Sequence, residues 1–296
     1  MGVPRAVLRL AVIILSIAGA LAPGAQAAQP DAPQVIYYNQ GGKANAEKRF
    51  NYKVLQLIVS KCGKPYQLRP TPMGRMTDSR AAEALAAGEP VDVAWLAVSA
   101  KLDQTLTPVS VPIDRGLLGY RLFLIDQARQ DEFSHVRNLA DLRRLKALQG
   151  AGWQDTTILR QAGLPVRTGD YDHLFRMTLA RRGDYFPRSA FEAYSEQADH
   201  VGQAPGITVE RSLVLHYPLT SMFYVRRANH TLHDDLYRGF MRAYADGSYM
   251  RLFHSDPGIR AAIYKAKLSS RRVIEIDNPF LSPQTRGLDA RFWYHP

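Results

Sequence analysis

The chain has 296 residues, 46% hydrophobic and 10% aromatic, enough apolar material for a real core, which excludes a disordered chain. A lone cysteine, Cys62, excludes an internal disulfide, so stability has to come from burial. The net charge is +11, but the basic residues are spread from Arg49 to Arg291 without the basic stripe and interleaved aromatics of a nucleic-acid binder, so they read mostly as solvated surface and no nucleic-acid partner is expected.

Arg5 and Arg9 precede an apolar run over residues 10–22, followed by Pro23, Gly24 and Ala25-Gln26-Ala27. The run is too short to span a bilayer and ends in a small-x-small site, so residues 1–27 are expected to be a signal peptide cleaved before Ala28. Losing Arg5 and Arg9 takes the net charge from +11 to +9. With no cysteine at the cleavage site a lipid anchor is not expected, and a periplasmic location is.

After the leader, strands and helices alternate. Residues 34–38 read as a strand. Residues 52–62 read as a helix with Tyr52, Leu55, Ile58, Val59 and Cys62 on one face and Gly63 at its end. Residues 66–69 are strand-like, 79–87 helical and closed by Gly88, and 91–96 strand-like. That alternation predicts a parallel sheet with helical crossovers. Residues 111–125 are where the chain is expected to cross to a second lobe. Strand-like pieces at 109–113 and 120–125 flank Gly116 and Gly119, which let the backbone bend, although a bulge or hairpin in one sheet reads the same way. A return crossing is expected between the strand 213–217, ended by Pro218, and the run 222–225. In between, helices are expected at 139–145, 155–162 (capped by Gly163) and 171–182, with a short strand at 185–187. Leu232, Leu236, Phe240 and Tyr244 recur at i+4 in a long helix stopped by Gly247, and a further helix covers 257–267. From Asn278 the chain reads as an extended tail. The expected division is residues 28–117 as the first part of lobe 1, 118–214 as lobe 2, and 215–296 as the rest of lobe 1 with the tail.

Ligands of open α/β sheets sit beyond the carboxyl ends of the strands. The first strand ends at Tyr38 and runs into Asn39-Gln40-Gly41-Gly42-Lys43, which lacks P-loop spacing and reads as a cleft rim, with Tyr38 and Gln40 as ligand contacts. The segment Gly150-Ala151-Gly152-Trp153-Gln154-Asp155-Thr156 precedes a helix, whose free N–H groups attract anions. Asp155 there caps the helix or meets the ligand, and Trp153 either plugs the core or stacks on the ligand. Trp95, at a strand end, has the same two readings. Arg121 and Arg188 lie in apolar surroundings and need a carboxylate from ligand or protein. Catalytic patterns are poor: there is no His-Glu-x-x-His, no Gly-x-Ser-x-Gly and no Cys–His frame. No enzyme is expected, although an acid pair of Asp184 with Glu192 or Glu196 leaves hydrolysis open. His230 and His233, with Asp234 and Asp235, read as a polar first helical turn rather than a metal site, and no cofactor motif is present.

Taken together, several stretches resemble the type 2 periplasmic solute-binding proteins, in the group related to amino-acid-binding subunits of ABC transporters. They are residues 76–88 with Arg80 leading into Val91-Asp92-Val93-Ala94-Trp95, Val111-Pro112-Ile113 through Gly116-Leu117-Leu118-Gly119-Tyr120-Arg121, Gly152-Trp153-Gln154-Asp155, Asp184-Tyr185-Phe186-Pro187-Arg188 and Asp246-Gly247-Ser248. The resemblance implies two α/β lobes joined by two hinge strands, with a ligand cleft between that closes on a small molecule for delivery to a membrane transporter; a monomer is expected. It also implies that Arg80, Trp95 and Trp153 border the cleft. Two departures bear on the ligand. Where amino-acid binders carry Thr-x-x-Arg for the ligand carboxylate, this chain has Ser99-Ala100-Lys101-Leu102-Asp103, so that Lys101 offers a point charge without the two-pronged fit. Where they carry an acid for the ligand amine, it has Arg188-Ser189. With Arg121, Arg188 and Lys101, an anionic ligand rather than an ordinary α-amino acid is expected. A sensor or partner-binding module is the alternative.

Overall fold

The structure, a computed structural model, describes residues 1–2, 33–41 and 46–296; residues 3–27 of the expected leader and the Gly42-Lys43 part of the rim loop lie outside the described residues. The strands are β1 (Gln34–Tyr38), β2 (Tyr66–Pro70), β3 (Val93–Ala97), β4 (Leu106–Val109), β5 (Tyr120–Asp126), β6 (Ala147–Gly150), β7 (Val166–Gly169), β8 (Phe186–Ser189), β9 (Ile207–Val209), β10 (Leu213–His216), β11 (Ser221–Arg226) and β12 (Arg272–Glu275).

One sheet has the order β2-β1-β3-β11-β4, with β11 antiparallel to both neighbours. The other has the order β12-β10-β5-β8, with β9 also on β5. The parallel pair β6–β7 joins it through a bridge from Ala147 to Tyr185, just before β8. Read from its outer edge, the second lobe therefore runs β7-β6-β8-β5. This repeats the β2-β1-β3-β11 pattern of the first: outer strand, first strand, third strand, then one antiparallel strand. The chain passes from the first sheet to the second between β4 and β5 and returns between β10 and β11. The two α/β lobes with mixed sheets are as the sequence suggests; after β11 the chain enters the second sheet once more, as β12, which pairs in parallel with β10.

The crossings are packed on each other. A Cβ on Gly119 would stand 2.1 Å from Tyr217 O, so only glycine allows the approach. Asp114, fully buried, ties the two together: Oδ1 accepts from Leu118 N at 3.2 Å and Thr220 Oγ1 at 3.0 Å, and Oδ2 from Ser221 N at 2.8 Å. Residues 109–113 are not the expected strand. Pro112 has no N–H for a ladder, and Ile113 N donates to Ser221 O at 2.9 Å instead, so the strand is the earlier Leu106–Val109. The tail from Asn278 contains short helical turns and lies against the first crossing, where Arg115 Nη2 donates to the carbonyls of Arg291 and Trp293 at 3.0 Å each.

Two hydrophobic cores line the two faces of the sheets. One gathers the helices Phe50–Ser60, His230–Ala245, Tyr171–Leu179 and Ala193–His200 through residues such as Val54, Phe240, Phe175 and Ala193. The other gathers Asp78–Ala87 and Gln154–Gln161 through Ala81, Leu85, Ile158 and Leu159. Cys62 is buried, with its Sγ 3.2 Å from Ile58 O, as a small apolar residue would be.

Candidate functional site

In both lobes the carboxyl ends of the parallel strands point to the cleft between them, where ligands of such sheets sit. From the first lobe come the end of β1 at Tyr38 and Asn39, the residue Arg49 preceding helix Phe50–Ser60, and the start of helix Asp78–Ala87. The second lobe supplies the loop after β6 with Gly152 and Trp153, Tyr171 after β7, and Arg188 on β8. The lobes touch where Gly152, left-handed at φ 78°, lies against Ser79, with 3.1 Å between an added Cβ and Ser79 Oγ.

The centre of the second lobe's wall is Arg188, buried at 3% exposure. Its Nε donates to Glu196 Oε2 at 2.5 Å, and its Nη2 to Glu192 Oε2 at 2.9 Å and Glu196 Oε1 at 2.8 Å. The guanidinium lies over Trp153 at 4.6 Å and over Phe186 at 5.2 Å, so its face is stacked while its edge is ion-paired. Burial alone would lower its affinity for the proton, but Glu192 and Glu196 outweigh it and hold it charged. Glu192 and Glu196 stand four and eight residues beyond Arg188, just before and on helix Ala193–His200 respectively. Ser189 Oγ also donates to Glu192, at 2.6 Å.

Across from it stands Arg49, a residue the sequence reading passed over. Burial lowers its guanidinium below the usual value, opposed by Glu192, Glu196 and Tyr171 of the second lobe and by Asp78 of the first. Its Nη2 is buried and has no hydrogen-bond partner among the described residues. The phenol of Tyr171 is pushed well up, by burial first and then by Glu196. Among the described residues the cleft thus brings together two arginines and three acids drawn from both lobes.

The other expected site residues divide into two groups. Tyr38, at the end of β1, and Trp95, in the middle of β3 rather than at a strand end, are buried and stacked at 6.2 Å, with Tyr38 also 5.1 Å from Tyr52 and donating to Glu47 at 3.2 Å. They form the floor of the first lobe, and Gln40 is half-buried on the rim above. Arg121 and Asp155 are brought together, but inside the second lobe. Arg121 Nη2 is 3.0 Å from Asp155 Oδ1, and Tyr217 of the return crossing donates to the same carboxylate. Asp155 therefore does not cap its helix, whose N-cap is Trp153; it joins that helix to both crossings. Arg80 is exposed and paired with Glu89 at 2.8 Å. Lys101 is exposed too, on a helix of residues 100–105 capped by Ser99, which accepts from Leu102 N at 3.3 Å. Asp184 does not pair with Glu192 or Glu196; it takes Arg129 at 2.8 Å and Lys146 N at 2.6 Å. Two cavities lie elsewhere. One of about 570 Å³ is on the first lobe between Lys61 and Arg242, and one of about 420 Å³ lies between the tail and the crossings, beside Tyr120 and His216.

No protein-family model matches the chain, and no curated protein sequence does either. Solved structures do. A histidine kinase sensor domain with similarity to periplasmic binding proteins superposes at TM-score 0.56 with 15% identity over 76% of this chain and 96% of that one. An amino-acid ABC transporter substrate-binding protein from Streptococcus pneumoniae bound to L-arginine gives 0.54 with 12% identity over 78% and 96%. An ancestral arginine-binding protein bound to arginine gives 0.52 with 16% identity over 76% and 97%. At these identities the likeness is one of fold, and the fold is that of the type 2 periplasmic binding proteins.

Proposed function

We propose that the chain is an exported, periplasmic solute-binding protein, a monomer that closes its lobes on one small molecule and delivers it to the membrane component of an ABC-type transporter. The observation that carries this reading is the cluster of charges drawn from both lobes into one cleft, Arg49 and Asp78 facing Glu192, Glu196 and Tyr171. Such a cluster gives a ligand differential contacts with the closed state, which is what drives closure.

An anionic ligand remains our proposal, carried by a different residue. Arg121 and Arg188 take their carboxylates from the protein, and Lys101 lies exposed on a helix. The buried, unpartnered Nη2 of Arg49 supports an acceptor on the ligand, a carboxylate by preference, and the acids around it favour a second, hydrogen-bond-donating end. Trp153 and Trp95 with Tyr38 are the apolar walls.

A thermal-unfolding screen against dicarboxylates, sugar acids, amino acids and aromatic acids tests this. A cognate acid at a hundred times its Kd raises stability by about 2.7 kcal/mol, and Arg49→Ala abolishes the shift. An equal shift in that variant, or tight selection of a ligand without an acid group, refutes the reading. Slow turnover of the bound acid would replace binding by catalysis. The likeness to a kinase sensor domain favours a second reading, closure presented to a membrane receptor. Capture of a receptor rather than a transporter subunit by the liganded form would select it.

A further inference from the structure

The end of the second lobe remote from the cleft is strongly cationic. Ala147 pairs with Val166 on one side and Tyr185 on the other, so β6, β7 and the residue before β8 begin level and run parallel. Their carboxyl ends face the cleft, and the three loops that precede them meet at the opposite end. Arg143 Nε and Nη2 donate to Ala162 O at 3.1 and 2.9 Å, Asp184 N donates to Lys146 O at 2.7 Å, and Arg167 Nη1 donates to Arg182 O at 3.3 Å, linking all three. Arg143, Arg144, Lys146, Arg167, Arg181 and Arg182 are all exposed there. Asp184, the acid of these loops, is already engaged by Arg129.

A surface that serves solubility alone mixes its signs. Here six like charges are collected beside one acid of the same loops, Asp184, which shares Arg129 with Glu132. None of the exposed large hydrophobic side chains, Val201, Tyr237, Tyr264 and Val273, lies in these loops, so there is no platform on which the bases of a single-stranded nucleic acid would stack. Loops bearing exposed guanidiniums, whose forked donors suit phosphate oxygens, instead match a field of lipid phosphates. We propose that this face is an electrostatic docking surface for an anionic lipid bilayer, holding the protein beside the membrane by the remote end of its second lobe.

The test uses the compact unit 33–296, which contains both cores and omits the apolar leader that would enter a bilayer by itself. It is mixed with vesicles of phosphatidylcholine with phosphatidylglycerol, or of phosphatidylcholine alone, and sedimented. Binding is expected only to the anionic vesicles and falls with added salt. Replacing Arg144, Arg181 and Arg182 together by glutamine lowers partitioning roughly a hundredfold, at the strength usual for basic residues near an anionic leaflet. Replacing Arg69, Arg75 and Arg260, which removes the same charge elsewhere, leaves it nearly unchanged. The single variant Arg144→Gln, expected to lose about fivefold, serves if the triple does not fold. Equal loss in both triples, equal binding to neutral vesicles, or displacement of the vesicles by single-stranded RNA at lower concentration overturns the proposal.

Discussion

The two lobes repeat one strand order but bury different chemistry. Among the described residues the first lobe fully buries no arginine, Arg49 being half-buried; its buried acids Asp235 and Asp256 reach outward to Lys64, Arg238 and Lys53, which are a third to a half exposed. The second lobe buries three arginines, each with its own acid: Arg121 with Asp155, Arg188 with Glu196, and Arg271 with Glu210. Buried pairs return little net stability, because desolvation offsets the attraction, but each is severely damaged by loss of one member. The first lobe is accordingly a hydrophobic scaffold, while in the second the charges fix where the cleft wall and the crossings stand.

The sharpest way to break that contrast is Asp155→Ala, which strands Arg121 and the Tyr217 hydroxyl; a loss of about 3–5 kcal/mol is expected in denaturant unfolding. Replacing both partners, Arg121→Met with Asp155→Leu, should recover most of it. A variant as stable as the parent would remove the distinction between the lobes.

Asp114, between the lobes, makes a pH-dependent contribution. Burial raises its carboxyl from 3.8 to about 6, against the hydrogen bonds from Ser221, Leu118 and Thr220. The unfolded chain has released this proton by about pH 5 while the folded chain still holds it, so lowering the pH from about 6 towards 4 favours the fold, and the gain is lost as pH rises through 6. The stability difference between wild type and Asp114→Asn should therefore grow by about 1.4 kcal/mol per pH unit on acidification in that window. A constant difference would exclude it.

Gly119→Ala forces the crossings apart and should cost about 1–3 kcal/mol, as overpacking does. The smallest effect belongs to the first lobe: Lys64→Ala removes a half-exposed partner of Asp235, which retains Tyr66 and Arg238, and should change stability by less than about 1 kcal/mol. A loss as large as that of Asp155→Ala would make the lobes alike after all.

The alternation of strands and helices was legible because each element carries its own period, and the crossings because Gly116, Gly119 and Pro218 punctuate them. β12 was not, since three of its four residues are exposed and no apolar alternation marks it. β9, at three residues, is too short to carry a pattern. Trp153 and Arg188 were readable as chemistry, yet their partners were not. Glu192 and Glu196 looked equally suited to Asp184, and only the packing of helix Ala193–His200 gives them to Arg188. Arg49 shows the limit most clearly: nothing in its neighbours along the chain marks it, because the acids it faces are remote in sequence, Glu192 and Glu196 in the opposite lobe and Asp78 in its own.

The chain has three tryptophans, and they are distributed one to each mechanical part. Trp95 stacks on Tyr38 in the first lobe, Trp153 on the Arg188 guanidinium in the second, and Trp293 in the tail covers Gly116, where an added Cβ would stand 2.5 Å from its ring. The molecule therefore has an intrinsic optical read-out. With two of the three replaced by phenylalanine, the emission of the third reports on the floor of the first lobe, the wall of the second or the crossing between them, without any attached dye.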